Sequence, residues 1–152
     1  MDMRAKLSEA LKEAMLNKSQ IRVCTIRLML AALKDREVAL RSEDSSECLD
    51  QSDINALFAK MVKQREESIR TYEEAGRMEL AERERCEIKV IRDFLPKPLS
   101  GTEIEAAIKA AIVETGANSI RDMGKVMGKL KAAHAGQMDF GAAGVQVKAA
   151  LA

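Results

Sequence analysis

The chain has 152 residues, 47% hydrophobic and 32% charged, enough for one domain or two small ones. Trp is absent and aromatics make up 3%, which argues against a sheet-rich fold and against stacking on single-stranded nucleic acid. A net charge of +1 excludes a global field that would drive nucleic-acid or membrane binding, so any electrostatic site has to be local.

In chain order, residues 3–16 form the first predicted helix, with Leu7, Ala10, Leu11, Ala14 and Met15 on one stripe. Its interspersed charges leave no apolar region for a secretory signal. Asn17–Lys18–Ser19 is the break, with Ser19 as N-cap of a second helix over about 20–41. From Val23 to Leu33 that helix is apolar almost all round, which predicts burial by several neighbours. Arg27, the one charge in the run, is expected to snorkel or pair. Residues 42–52, SEDSSECLDQS, read as a mobile acidic loop. Asp50 or Ser52 then caps a helix of about 53–75, with Ile54, Leu57, Phe58, Met61, Val62 and Ile69 inward and Gly76 at its C′ position. A charged fourth helix of about 77–94 shows Leu80, Cys86 or Glu87, Ile88, Ile91 and Leu95 on one stripe.

Pro96 and Pro98 forbid helix continuation and mark a boundary. The expected organisation is a helical domain over 1–95, a linker over 96–99 and a second domain over 100–152. Ser100-Gly-Thr-Glu103 is a capping box opening a helix of about 101–115, which turns Ile104, Ala107, Ile108, Ala111 and Ile112 inward and ends at Gly116. Ser119-Ile-Arg-Asp122 resembles a second capping box, for a helix running to about Ala133. His134-Ala-Gly136-Gln is a turn, and Asp139 caps a last helix through Val145, Val147, Ala150 and Leu151. No repeat and no stretch of ~20 apolar residues occurs, so no membrane span is expected. The predicted fold is all-α: a four-helix N-terminal domain joined by a Pro-Pro linker to a compact three-helix C-terminal domain.

The stretch SIRDMGKVMGKLK (119–131) carries the candidate site. Ile120, Met123, Met127 and Leu130 make an apolar stripe. Gly124 and Gly128 lie one turn apart, and each costs roughly 1 kcal/mol against Ala. Such a pair signals a close approach to the backbone. Arg121, Lys125 and Lys129 recur every four residues beside them, Lys131 follows, and Asp122 is the one opposing charge. Two readings stand: the glycines floor a cationic surface for a polyanion backbone, or they seat the helix of residues 101–115.

No catalytic centre is expected. His134 lies in a turn without a nucleophile motif, and Glu66, Glu67, Glu73 and Glu74 read as a solvated helix face. A phosphate loop of the GxxxxGK[ST] type is missing, and no cofactor is implied. Cys24, Cys48 and Cys86 make no metal-ligand spacing with His134; Cys24 and Cys86 read as small core residues and Cys48 as an exposed thiol. This usage suits a reducing compartment, and the expected location is the cytoplasm.

Three stretches resemble the YqeY family, also called the GatB/YqeY domain family: IRLMLAALKDREV (26–38), VKQREESIRTYEEAGR (62–77), and FLPKPLS followed by ETGANSIRDMGKVMG (94–128). Their order and spacing match over nearly the whole chain. The C-terminal module of that family is similar to the tail of GatB, a subunit of the glutamine-dependent amidotransferase acting on misacylated tRNA. The resemblance implies a carbon–nitrogen ligase context with glutamine as amido-N-donor, and a tail that contacts tRNA. On this chain the implied RNA-binding residues are Arg121, Gly124, Lys125, Gly128, Lys129 and Lys131. Nothing resembles the activating or glutamine-hydrolysing parts. The family often has Pro and basic residues after the glycine-lysine helix; here KAAHAGQMDF (131–140) puts Gln137 where Arg is common and keeps Asp139. The expected function is a non-catalytic tRNA-binding or amidotransferase-associated module. The alternative is a protein-interaction adaptor using the N-terminal helices, with no RNA role.

Overall fold

The computed structural model describes residues 2–42 and 48–152. Among them are seven α-helices and no strand: α1 (Met3–Leu16), α2 (Gln20–Ser42), α3 (Gln51–Glu74), α4 (Met78–Arg92), α5 (Gly101–Thr115), α6 (Met123–His134) and α7 (Phe140–Leu151), with a 3₁₀ turn at Ile120–Asp122. The all-α expectation holds. The chain divides into two compact units, Met1–Leu95 and Pro96–Ala152.

In the first unit, α3 pairs with α4, α1 packs on α2, and α2 packs on α4. Leu7, Ile26, Met29, Phe58 and Ile91 are fully buried at its centre. The caps follow from local chemistry. The Asp2 side chain accepts the Ala5 N–H at 2.7 Å. Asp50 and Asp53 form a reciprocal capping box at the start of α3. Gly76, at φ +73°, closes α3: its own N–H bonds the Glu73 carbonyl and the Arg77 N–H bonds that of Tyr72, the paired bonds of a Schellman ending. Arg22 joins the start of α2 to the residues after α4, through Asp93 Oδ2 at 2.9 Å and the Phe94 ring at 5.7 Å.

Several expectations change here. Helix α2 is not buried all round: Thr25, Ile26, Met29 and Leu33 face the core, while Ile21, Leu28 and Val38 are exposed. Apolar composition on every face does not secure neighbours on every face, and α1, α3 and α4 cover only one side. Cys24 accordingly lies exposed rather than in the core, and Cys86 is half-buried. Arg27 is exposed as well. Ser42 belongs to α2, and Gln51 and Ser52 to α3; the rest of the expected loop includes 43–47, which lie outside the described residues.

In the second unit, α6 packs against both α5 and α7 around Ile108, Ala111, Val126, Leu130, Ala143, Val147 and Leu151. Ser100 caps α5 by accepting the Glu103 N–H at 3.3 Å, and its hydroxyl donates to Glu103 Oε1 at 3.1 Å. Gly116, at φ +67°, closes α5. The expected capping box at Ser119 is replaced by the 3₁₀ turn: Ser119 makes no side-chain cap, and Asp122 reaches back to accept the Asn118 N–H at 3.2 Å. Asp139 caps α7 through Gly141 N–H at 2.9 Å. Val145 is exposed, because Ala143, Gly144, Val147 and Leu151 set the buried face.

Gln137 holds the first residues of this unit in place. Its main-chain carbonyl accepts the Leu99 N–H at 2.9 Å, and its side-chain Nε2 donates to the Lys97 carbonyl at 3.2 Å. Its Oε1 lies 3.2 Å from His134 Nδ1, and His134 is the last residue of α6 rather than part of the turn. Two residues of the expected linker, Lys97 and Leu99, are thus bonded to the α6–α7 turn.

Candidate polyanion-binding face

Helix α6 buries Val126 and Leu130 toward α5 and α7, with Met123 and Met127 packed beside them. That orientation turns the opposite side outward. Gly124, Lys125, Gly128, Lys129 and Lys131 are all exposed. At about 100° per residue, Gly124 and Gly128 lie about 40° apart, with Lys131 on one flank and Lys125 and Lys129 on the other. Arg121 is exposed too, but sits in the 3₁₀ turn, so it does not continue the four-residue register of the lysines.

The two glycines do not seat a helix. A Cβ placed on Gly124 or Gly128 meets nothing within 4 Å, so the reading in which they admit the helix of residues 101–115 is corrected. On α7, Gly144 faces the α6 methionines at ordinary van der Waals distance, so it has room for a methyl group but not for a large side chain. A Cβ there lies 3.5 Å from Met123 Cε and 3.9 Å from Met127 Cε. Gly124 and Gly128 therefore weaken the helix with no packing in their own unit to offset it.

The cations are unequal. Lys129 Nζ lies 2.8 Å from Glu114 Oε2 on α5, both side chains about half exposed. Lys131 is engaged within the chain. Among the described residues Arg121 and Lys125 have no ion-pair partner. Sequence reading missed Glu114, because its pairing depends on how α5 and α6 lie side by side and no local spacing records that.

The first unit holds a shallow cleft of about 450 Å³ between α2, α3 and α4, which Leu28, Tyr72, Leu80, Glu84 and Glu87 help to line. Arg65 Nε bonds Glu87 Oε2 at 2.9 Å, with both side chains largely buried. Burial, and next the neighbouring Glu87, push the Glu84 carboxyl above its ordinary value; Arg65 and Arg83 oppose this. Among the described residues no three His, Cys, Asp or Glu side chains could hold a metal, and no helix is long and apolar enough to cross a membrane.

Comparison with known proteins identifies relatives described as "Altered inheritance of mitochondria protein 41, mitochondrial". The Lachancea thermotolerans protein is 34% identical over 116 residues, covering 75% of this chain and 60% of that protein. The Kluyveromyces lactis protein is 34% identical over 90 residues, 59% of this chain and 46% of that protein. The Eremothecium gossypii protein is 34% identical over 107 residues, 70% of this chain and 56% of that protein. The chain thus spans about half the length of these curated relatives. Their names overturn the cytoplasmic expectation. That expectation rested on free thiols and the lack of a secretory h-region, and neither separates the cytoplasm from other reducing compartments. The family model described as "Yqey-like protein" matches residues 4–151, and the chain belongs to the YqeY family.

Proposed function

We propose that this protein is a non-catalytic binding module whose C-terminal unit holds the sugar-phosphate backbone of a structured tRNA on the outer face of α6. The observation that carries the reading is the pair of exposed glycines, open to 4 Å and flanked by Lys125 and Lys129. A bare helix face lets a backbone approach closely, and the flanking ammonium groups meet phosphates. Contacts of this kind position a nucleic acid without reading its bases, which suits recognition of folded RNA by shape. The resemblance to the GatB tail supplies tRNA as the polyanion, and the mitochondrial names of the relatives point to an organellar tRNA pool.

Binding of labelled bulk tRNA to the whole chain, followed by anisotropy, tests the reading. The wild type is expected to bind, and Gly124→Leu to weaken binding through bulk alone while circular dichroism stays unchanged. A folded Gly124→Leu protein that binds as tightly as the wild type contradicts it.

A further inference from the structure

The first unit leaves one side of α2 uncovered. Ile21, Leu28 and Val38 are 42%, 48% and 53% exposed, and Cys24 and Ala31 are exposed between them. Steps of three, four and seven residues place these five on one stripe, which runs about 26 Å along the helix axis. Beside it, at intervals of seven residues, stand Arg27, Lys34 and Arg41, all exposed. Among the described residues none of the three is in an ion pair. Their rotation by about 100° to 140° from Leu28 puts them along a single edge of the stripe. At Leu28 the stripe opens into the cleft it shares with Tyr72 and Leu80.

We infer that this face of α2 is a docking surface for an amphipathic helix of a partner protein, one that carries acidic residues along one edge of its apolar stripe. Apolar positions at heptad spacing, interrupted here by Asp35, are the pattern a second helix packs into. The Arg27–Lys34–Arg41 edge selects acidic over basic partners, since like charges facing each other across an interface are strongly unfavourable. An anionic lipid surface fits less well. The stripe has no aromatic anchor, and Asp35, seven residues after Leu28, stands exposed within it. This surface is on α2, so it is independent of the α6 face.

The test uses the whole protein and two designed helical peptides of about 18 residues, long enough to span the stripe. Both carry leucines at heptad spacing; one has glutamates along one flank and the other has lysines there. Anisotropy is expected to show saturable binding of the acidic peptide, with the basic peptide about tenfold weaker or worse. Leu28→Asp should abolish binding with unchanged circular dichroism. Arg27→Glu combined with Lys34→Glu should reverse the preference, so that the basic peptide binds the better. Equal binding of both peptides, or no reversal in the folded double variant, overturns the inference. So does sedimentation showing a dimer that Leu28→Asp dissociates, which assigns the face to a second copy. Binding to phosphatidylserine-containing vesicles that Leu28→Asp removes, without peptide binding, overturns it in favour of a lipid surface.

Discussion

Glu114 Oε2 lies 2.8 Å from Lys129 Nζ, so the carboxylate on α5 occupies the cation that a phosphate on the α6 face would use. Both side chains are about half exposed, and the pair adds little to stability. Its consequence is for binding: a polyanion has to displace Glu114 from Lys129, whereas Lys125 is already unengaged. Lys125→Ala is therefore expected to weaken tRNA binding more than Lys129→Ala. Glu114→Gln is expected to tighten binding by about two- to fivefold at low salt, the range of a surface ion pair. That gain should disappear when Lys129 is already Ala. Anisotropy titrations of the three single variants and the Glu114→Gln/Lys129→Ala double variant check this.

Gly124 and Gly128 are expected to be poor for stability. Replacing either by Ala should stabilise the protein by roughly 0.5–1 kcal/mol, since the added methyl meets nothing. Gly144→Leu should act in the opposite sense. Met123 and Met127 lie over that position, and the extra bulk should destabilise by about 1–3 kcal/mol. Denaturant unfolding of the three variants separates the two kinds of glycine.

The Glu84 carboxyl is expected to reveal itself through pH. Its pKa is raised in the folded state, so the folded protein holds this proton more tightly than the unfolded chain does. The contribution of Glu84 to stability is therefore fully present below the ordinary carboxylate range and is lost as pH rises through the folded pKa. Glu84→Gln should raise the melting temperature at pH 7, and the difference should shrink as the pH is lowered toward about 4. Thermal melts of both proteins across that range measure it.

Arg65 and Glu87 are expected to behave as a buried pair, unlike the surface pairs of the same unit. Their side chains are 13% and 12% exposed. Glu87→Ala leaves the Arg65 Nε without its acceptor and should destabilise by about 1–3 kcal/mol. Glu73→Ala breaks a half-exposed pair with Arg85 and should change stability by less than about 1 kcal/mol. Chemical denaturation compares the two.

Helix positions are legible in the sequence because caps and breakers are local. Asp50, Gly76, Ser100, Gly116 and Asp139 each act on neighbours within a few residues, and each stands where its chemistry places it. What sequence reading misses depends on assembly. The apolar run in α2 cannot say how many of its sides find a partner, so Cys24 and Leu28 read as buried in the sequence and are exposed in the fold. The start of α6 departs from its expected form because Asp122, with its short side chain, bonds back to Asn118 rather than completing a capping box, leaving a 3₁₀ turn. At the candidate site the glycine pair and the lysines are visible as a pattern. Their exposure, the Lys129–Glu114 pair and the bonds from Gln137 to Lys97 and Leu99 emerge only in the packed unit.

The salt dependence of tRNA affinity tests the central claim most directly, compared between the wild type and the Lys125→Ala/Lys129→Ala variant. Each neutralised phosphate releases counterions, so the wild-type affinity should fall linearly with salt on a double-logarithmic plot. The variant should bind more weakly, with a slope shallower by about one unit for each phosphate it no longer neutralises and an unchanged helical signal. A wild type that binds tRNA, alongside a double variant with the same affinity and the same slope, would show that the outer face of α6 is not the site.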